Sequence, residues 1–388
     1  MRVLFLTHNF PRRDGDASGS FLLRLAKALR DESVDAHVVA PASSGSPAHE
    51  TFDGIPVHRF RYAPRRFETL AYGGTMATQV RDSWGAKLTM VGFIGSEFAC
   101  ANHARREFKP DVIHAHWWFP NGLPASWLAR LANRPLLTTL HGTDVRLARS
   151  VAFARPAFRH VMRSSTTVTA VSRWLAIEAS SLVSGPMPVV APMPVASELF
   201  TPGGRREPGR LLFVGRLNRQ KGIALLIEAL ARVDAAASLD VVGEGEDKQQ
   251  LERLAVSLGV APRVQWLGAL AQPQLVEHYR SAAALIVPSR DEGLGLVAVE
   301  AQLCETPVIA FESGGLTDVV QHDHTGVLVP DMTAEALAAA IDSLFARADR
   351  GASLGAAGRL HALATFAPQS VARHYAGVYR DAAAKFED

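Results

Sequence analysis

The chain has little cysteine. Of its 388 residues only Cys100 and Cys304 are cysteines, and they lie 204 positions apart. That excludes a disulfide-stapled scaffold and a four-cysteine zinc site, and it fits a reducing cytoplasm. Long apolar runs are also absent: none approaches the roughly 20 residues that cross a bilayer. The opening Met1-Arg2-Val3-Leu4-Phe5-Leu6-Thr7 is too short for a signal peptide, and Arg12-Arg13 follows it, so it reads as a first buried strand. No short-period repeat is visible. Hydrophobic residues make up 48% and charged residues 20%, which excludes a disordered or collagenous chain.

The length suggests two domains. Charge divides the same way. Residues 1–200 hold 23 Lys/Arg against 15 Asp/Glu, a net of +8, whereas residues 201–388 hold 18 against 23, a net of −5. A basic half joined to an acidic half implies separate domains, the basic one meeting something anionic.

Short β-branched runs alternate with helical spacings in both halves. Val3–Thr7, Ala36–Ala40, Val57–Phe60, Val112–Ala115, Leu136–Leu140 and Thr167–Ala170 read as strands, with helices over Leu22–Leu29, Asp82–Phe108 and Gly122–Ala132. The stretch Ser184–Gly209, rich in proline and glycine, reads as a linker with one short strand. Then Leu211–Val214, Leu239–Val242, Val264–Leu267, Ala284–Val287 and Val308–Ala310 restart the pattern, with helices near Ile223–Arg232, Asp247–Leu258, Gln272–Ser281, Leu296–Cys304 and Ala334–Ala346. Buried strands alternating with helices predict α/β architecture: two Rossmann-like parallel-sheet domains facing an interdomain cleft. Ligands of such sheets bind beyond the carboxyl ends of the strands.

The residues after those strands bear this out chemically. Pro288-Ser289-Arg290-Asp291-Glu292-Gly293-Leu294-Gly295-Leu296 follows a strand and opens a helix that includes Glu300. The glycines let backbone approach a ligand, and the helix start offers free N–H groups with about half a positive charge, a phosphate site. Carboxylates accept from vicinal hydroxyls, so Glu292 and Glu300 suit a sugar and a ribose. The bland alternative, a capping Glu292 and a solvated Glu300, is outweighed by the Gly-x-Gly between strand and helix. In Phe213-Val214-Gly215-Arg216-Leu217-Asn218-Arg219-Gln220-Lys221-Gly222, Arg216 and Lys221 can converge on one anion, such as a diphosphate leaving group where no metal serves. Gly-x-x-x-x-Gly-Lys is absent, so this is not a P-loop. Val242-Gly243-Glu244-Gly245-Glu246 begins like a dinucleotide fingerprint, but Lys248 occupies the place of its third glycine, which argues against NAD.

In the basic half, His141-Gly142-Thr143-Asp144 follows a strand. His141 is placed to reach the cleft, and Thr143 or Asp144 can cap a helix; a buried structural histidine is the alternative. His114 and His116 alternate on one strand and face one way, without a third ligand at metal spacing. Trp117 follows, with core packing its default and sugar stacking or lipid contact its alternatives. His116, Trp117 and Asp144 are the acceptor-side candidates. The loop His8–Ser20, with Gly15 and Gly19, leads into a helix and can face phosphate, although Asp14 and Asp16 oppose that. Arg59, Arg61, Arg65 and Arg66, interleaved with Phe60 and Tyr62 and followed by Phe67, read either as solvated surface or as contact with an anionic membrane or a diphosphate-bearing acceptor; Arg81, Lys87, Arg105, Arg106 and Lys109 add to that side. Basic-aromatic mixing also suits nucleic acid, but no recognised nucleic-acid motif is present, so no nucleic-acid partner is expected.

Taken together these residues resemble the family 4 glycosyltransferases, which have the GT-B fold. The likeness runs over nearly the whole chain and is strongest from Gly215 to Pro330: the Gly-Arg-Leu…Lys-Gly segment, the pair Glu292/Glu300 around Gly-Leu-Gly, and Gly314-Gly315-Leu316…Gly326-Val327-Leu328-Val329 occur in the family's order. Two stretches depart from it: Ser18-Gly19-Ser20 stands for an adjacent Gly-Gly, and Met193-Pro194-Val195-Ala196 for Asn-Gly-Val-Asp. The resemblance implies an acceptor-binding domain over 1–195, a sugar-nucleotide-binding domain over 196–367, and a helix over 368–388 crossing back to the first. It implies that Arg216 and Lys221 bind a nucleoside diphosphate, that Glu292 and the backbone of Gly293–Leu296 hold the donor sugar and phosphate, and that Glu300 holds the ribose. Gly268 to Leu270 would flank the base, and His141 would lie near the anomeric carbon; Gly15, Gly19, Gly215 and Gly243 complete the donor-side expectation. It implies a retaining hexosyltransferase with a nucleoside-diphosphate sugar as substrate (uridine first, guanosine next), a hydroxyl acceptor such as a lipid-linked or polysaccharide precursor, and no metal or other cofactor. A sugar-nucleotide epimerase of the same fold and a non-catalytic sugar-nucleotide-binding protein are the alternatives.

Overall fold

The computed structural model describes residues 1–73, 76–233 and 236–387. The chain divides into two compact units. The first is Met1–Pro194 together with Pro368–Asp388, and the second is Val195–Ala367.

The first unit holds an eight-stranded sheet. Its strands are β1 (Arg2–Leu6), β2 (Asp35–Pro41), β3 (His49–Phe52), β4 (Ile55–Phe60), β5 (Val112–His116), β6 (Leu136–Leu140), β7 (Thr167–Ala170) and β8 (Val189–Val190). They lie in the order β3-β4-β2-β1-β5-β6-β7-β8, and all neighbours are parallel except β3 and β4. Strands β5 and β6 are buried along their whole length, as expected of strands covered by helices on both faces. Phe93, Leu4, Ile113 and Leu128 are among the side chains of a core between the sheet and the helices Trp84–Phe108 and Leu123–Ala132.

The second unit holds β9 (Arg210–Val214), β10 (Ser238–Val242), β11 (Val264–Gly268), β12 (Ala284–Val287), β13 (Val308–Phe311) and β14 (Val327–Val329), all parallel, in the order β11-β10-β9-β12-β13-β14. Counted from β9, this is the doubly wound order 3-2-1-4-5-6, in which the strand order reverses its direction across the sheet between β9 and β12. The corresponding reversal in the first unit falls between β1 and β5. Each reversal splays two consecutive loops apart, and those loops are where a crevice forms at the carboxyl ends.

Some elements escaped the sequence pattern. Strand β3, His-Glu-Thr-Phe, is too polar for a buried-strand signal; its residues are exposed or half-buried. Its turn, Asp53-Gly54, has φ of 47° and 84°, the positive pair that a two-residue hairpin needs. The three-residue β14 and the helices Arg155–Ser164, Arg173–Leu182 and Ala352–Phe366 were also unread. The helix expected over Asp82–Phe108 runs Trp84–Phe108, because Ser83 is extended and caps it by accepting from Ala86 N–H; Asp82 ends a separate short helix, Met76–Asp82. The helix Pro368–Glu387 belongs to the first unit, with Tyr375 and Tyr379 fully buried there.

The first two arginines of the basic stretch are ion-paired rather than free surface charges. Arg59 is not a surface residue: it is 4% exposed, pairs with Glu50 Oε1 at 2.7 Å and donates to the Pro11 carbonyl at 2.5 Å. Arg61 pairs with Glu68 at 2.8 Å, and Phe60 and Tyr62 are core residues. Arg59 and Phe60 are consecutive in β4 and point to opposite faces of the sheet, and both are buried because both faces are covered there; Arg61 stays partly exposed beside Glu68, and Arg65, Arg66 and Phe67 are exposed. Among the described residues no helix is long and apolar enough to cross a membrane.

Candidate active site

In the second unit the site is built from the loops after β9 and β12. Behind β9 the chain turns through Gly215 and the exposed Arg216 to a short helical turn, Arg219–Lys221, whose start is fixed by Asn218 Oδ1 accepting from Lys221 N–H at 3.2 Å. Gly222 then takes φ 69°, and a Cβ there would lie 1.9 Å from the Pro288 carbonyl oxygen. Only glycine lets the two loops touch. They are further tied by Arg290 N–H donating to Gln220 O at 2.9 Å. The result is an ion pair across the switch point: Lys221 Nζ lies 2.5 Å from Glu292 Oε2, both side chains about four-fifths buried.

Beyond Glu292 the chain runs through Gly293 and the buried Leu294 to Gly295, which caps the helix Leu296–Leu303 in a left-handed conformation, φ 92°. No side chain caps this first turn, and no acid sits in it. The loop is braced from behind by Gly315 N–H on Glu292 O at 2.7 Å and by Ser313 Oγ accepting from Asp291 N–H at 3.0 Å. Within the helix, Glu300 is 6% exposed and is not a solvated residue. It accepts from the Tyr279 hydroxyl at 2.8 Å and from Gln272 Nε2 at 3.1 Å. Burial, then the Glu300 carboxylate, pushes the Tyr279 phenol well above its ordinary value, so it remains a donor. Gln272 and Tyr279 were missed from sequence; they share a face of the helix Gln272–Ser281 but form no motif.

The loops after β10 and β11 lie alongside. Gly215 N–H donates to Val242 O at 3.0 Å and Gly243 N–H to Gly268 O at 2.8 Å. Leu270, two residues beyond Gly268, is half-buried. The structure therefore gathers Gly215, Lys221, Glu292 and the Gly293–Leu296 backbone, with Gly243 and Gly268 along one flank.

The first unit presents a histidine cluster at its own switch point. His141, after β6, is half-buried, and its ring stacks on Trp117 with centroids 4.0 Å apart and planes 24° from parallel. His141 Nε2 lies 3.3 Å from His116 Nδ1. His116 and His114 are fully buried; His114 bonds Tyr379 OH at 2.8 Å and Thr139 Oγ1 at 2.7 Å. From the loop after β1, His8 Nδ1 accepts from Asn121 Nδ2 at 3.0 Å. Burial lowers His8 to about 4 and His114, His116 and His141 well below the ordinary imidazole value, so all four are neutral.

Asp144 holds this loop rather than capping a helix. It is 3% exposed, and Oδ1 accepts from the N–H groups of His141, Gly142 and Val145 at 3.1, 2.9 and 3.0 Å. Oδ2 accepts from Trp118 N–H at 3.2 Å. Burial raises its pKa to about 6 despite those four donors. Asp144 and His116 thus lie beneath His141 and Trp117. Gly19, with φ 68°, starts the helix Ser20–Ala28, and a Cβ there would meet Asn9 O at 2.2 Å; Gly15 faces open space. Among the described residues no group of three or more His, Cys, Asp or Glu side chains is placed to hold a metal ion.

Two parallel-sheet α/β units, the second with a cation, a carboxylate and an uncapped helix start at its switch point, define a class: the GT-B glycosyltransferase fold. Solved structures agree. The chain resembles sucrose-phosphate synthase of Thermosynechococcus elongatus, with a TM-score of 0.78 at 22% identity over 98% of both chains. It resembles Anabaena Alr3699/HepE, solved in complex with UDP-glucose, with a TM-score of 0.72 at 20% identity, covering 98% of this chain and 100% of that one.

The family follows from sequence comparison. Residues 17–195 match the glycosyl transferase 4-like domain and residues 198–361 match glycosyl transferases group 1. A D-inositol 3-phosphate glycosyltransferase of Stackebrandtia nassauensis is 32% identical over 95% of this chain and 88% of its own length. One from Geodermatophilus obscurus is 38% identical over 65% of this chain, and that match spans only 62% of the relative. The chain belongs to the family 4 glycosyltransferases.

Proposed function

We propose that the chain transfers a hexose from uridine diphosphate to a hydroxyl acceptor, with retention at the anomeric carbon and without a metal. The observation that carries this reading is the Lys221–Glu292 pair, held across the switch point beside an uncapped helix start. A sugar nucleotide laid there meets a carboxylate for its sugar hydroxyls and a cation plus helix dipole for its diphosphate. Glu300, already fixed by Tyr279 and Gln272, takes the ribose diol. HepE, a structural neighbour, was solved with UDP-glucose, which favours uridine. The relatives' name adds a phosphorylated polyol to lipid-linked and polysaccharide precursors as acceptor classes to test.

The acceptor oxygen forms its bond to the anomeric carbon on the face from which the phosphate oxygen departs, and its proton passes to the departing diphosphate. Arg216, Lys221 and the helix start stabilise that leaving charge. His141 of the first unit is neutral, and Asp144 and His116 fix its loop. A thermal-shift panel of UDP, GDP and ADP in EDTA tests the reading. UDP raises the melting temperature most; no shift with any of the three refutes the donor site. An epimerase would instead release a stereoisomeric sugar nucleotide and no free UDP.

We also place a membrane contact on one face of the helix Trp84–Phe108. Trp84, Leu88 and Val91 are 80, 73 and 70% exposed at i, i+4 and i+7, and Lys87 Nζ lies 4.3 Å above the Trp84 ring. Cosedimentation with phosphatidylglycerol vesicles is expected, is weakened by Trp84→Ala with Leu88→Ser, and is weak with phosphatidylcholine. Equal binding to both vesicles sinks it.

A further inference from the structure

We infer a second ligand site in the first unit, at the amino ends of β7 and β8, that takes a small carboxylate with a short apolar tail. A cavity of about 490 Å³ opens there, between the start of β7, the end of the helix Arg173–Leu182 and the turn into β8. It lies at the end of the sheet opposite the loops that carry His141 and Trp117, which follow the carboxyl ends of β6 and β5. Its volume falls in the range of small-molecule sites.

Three features of its wall select the ligand. Met162, Val183, Met187 and Val189 supply an apolar side, and methionine adapts to irregular shapes. Thr167 Oγ1 and Ser180 Oγ are buried without a hydrogen-bond partner, and Thr167 is only 7% exposed. Buried hydroxyls are ordinarily satisfied, so these two are donors awaiting an acceptor. Arg163 and Lys385, both exposed, also line the cavity; neither forms an ion pair among the described residues, and no acidic side chain lines it. Two cations without counter-charge beside two free hydroxyl donors fit a carboxylate, which is acceptor-only and anionic. The apolar side then receives the tail. Lys385 reaches the site from the helix Pro368–Glu387, so a bound carboxylate also bridges that helix to the β7 segment.

Octanoate is the probe, with 1-octanol as its neutral counterpart, titrated into the full chain labelled with ¹³C at the methionine methyls. Saturable shifts at Met162 and Met187 are expected with octanoate, at least tenfold weaker with octanol. Arg163→Ala with Lys385→Ala is expected to weaken octanoate at least tenfold, while unchanged resonances of the remaining methionines report an intact fold. Ser180→Leu, which fills the cavity, is expected to abolish both shifts. Absence of saturation, equal affinity for octanol, or binding indifferent to the loss of both cations overturns the site.

Discussion

Lys221 and Glu292 illustrate how little a residue does alone. An exposed lysine–carboxylate pair contributes about 0–1 kcal/mol to stability. At the switch point the pair fixes a cation beside a helix start, and under the proposed function its worth lies in the reaction rather than the fold. Lys221→Ala should therefore lower kcat on the order of 100-fold, about 3 kcal/mol, while the melting temperature barely moves. Steady-state UDP release with a calorimetric scan measures both. Glu300 makes the complementary case: Tyr279 and Gln272 orient its carboxylate, which in the proposed function binds the ribose equally in ground and transition states. Tyr279→Phe removes one donor and should raise the donor KM roughly tenfold with kcat nearly constant. A fall in kcat with KM unchanged would contradict that division of labour.

At the scale of elements, the candidate site exists because loops that follow two strands separated by 69 residues, β9 and β12, touch. Gly222 sits at that contact, where a methyl group would collide with the Pro288 carbonyl. Gly222→Ala is expected to cost on the order of 3 kcal/mol and to abolish the UDP thermal shift, because backbone on both sides has to part. Gly15→Ala supplies the contrast: φ is also positive, 75°, but nothing lies within 4 Å, so only about 1 kcal/mol of conformational strain is expected. Parallel denaturant titrations of the two variants distinguish a contact from a merely strained turn. The strand–loop–helix order around both loops was legible from the runs Leu211–Val214 and Ala284–Val287, since apolar blocks broken by glycine have few other readings. The contact between them was not, because nothing local in Gly-Arg-Leu or Glu-Gly-Leu encodes the distance.

For the whole molecule, the neutral histidine cluster predicts acid sensitivity. His114 and His116 are fully buried and held well below the ordinary value of 6.5, and the half-buried His8 is lowered to about 4. Below 6.5 the unfolded chain binds protons that the folded chain refuses, so stability is full above that pH and lost as pH falls through it. Two buried imidazoles alone give a slope near 3 kcal/mol per pH unit, at about 1.4 kcal/mol per proton. Urea midpoints at pH 7.5, 6.5 and 5.5 should fall most steeply over the last interval; a flat profile would mean that the imidazoles are already charged in the fold.

Sequence alone settled the alternation of strands and helices, the division into two α/β halves, and the residue types at the carboxyl ends, because hydrophobic period and glycine placement are local properties. It also offered Arg59 and Asp144 as a surface charge and a helix cap. Only the tertiary structure turned them inward, the first onto Glu50 and the Pro11 carbonyl, the second onto four backbone N–H groups. What covers each face of a strand, and how a loop closes, decide whether a polar side chain is buried, and neither is written in the side chain's own chemistry.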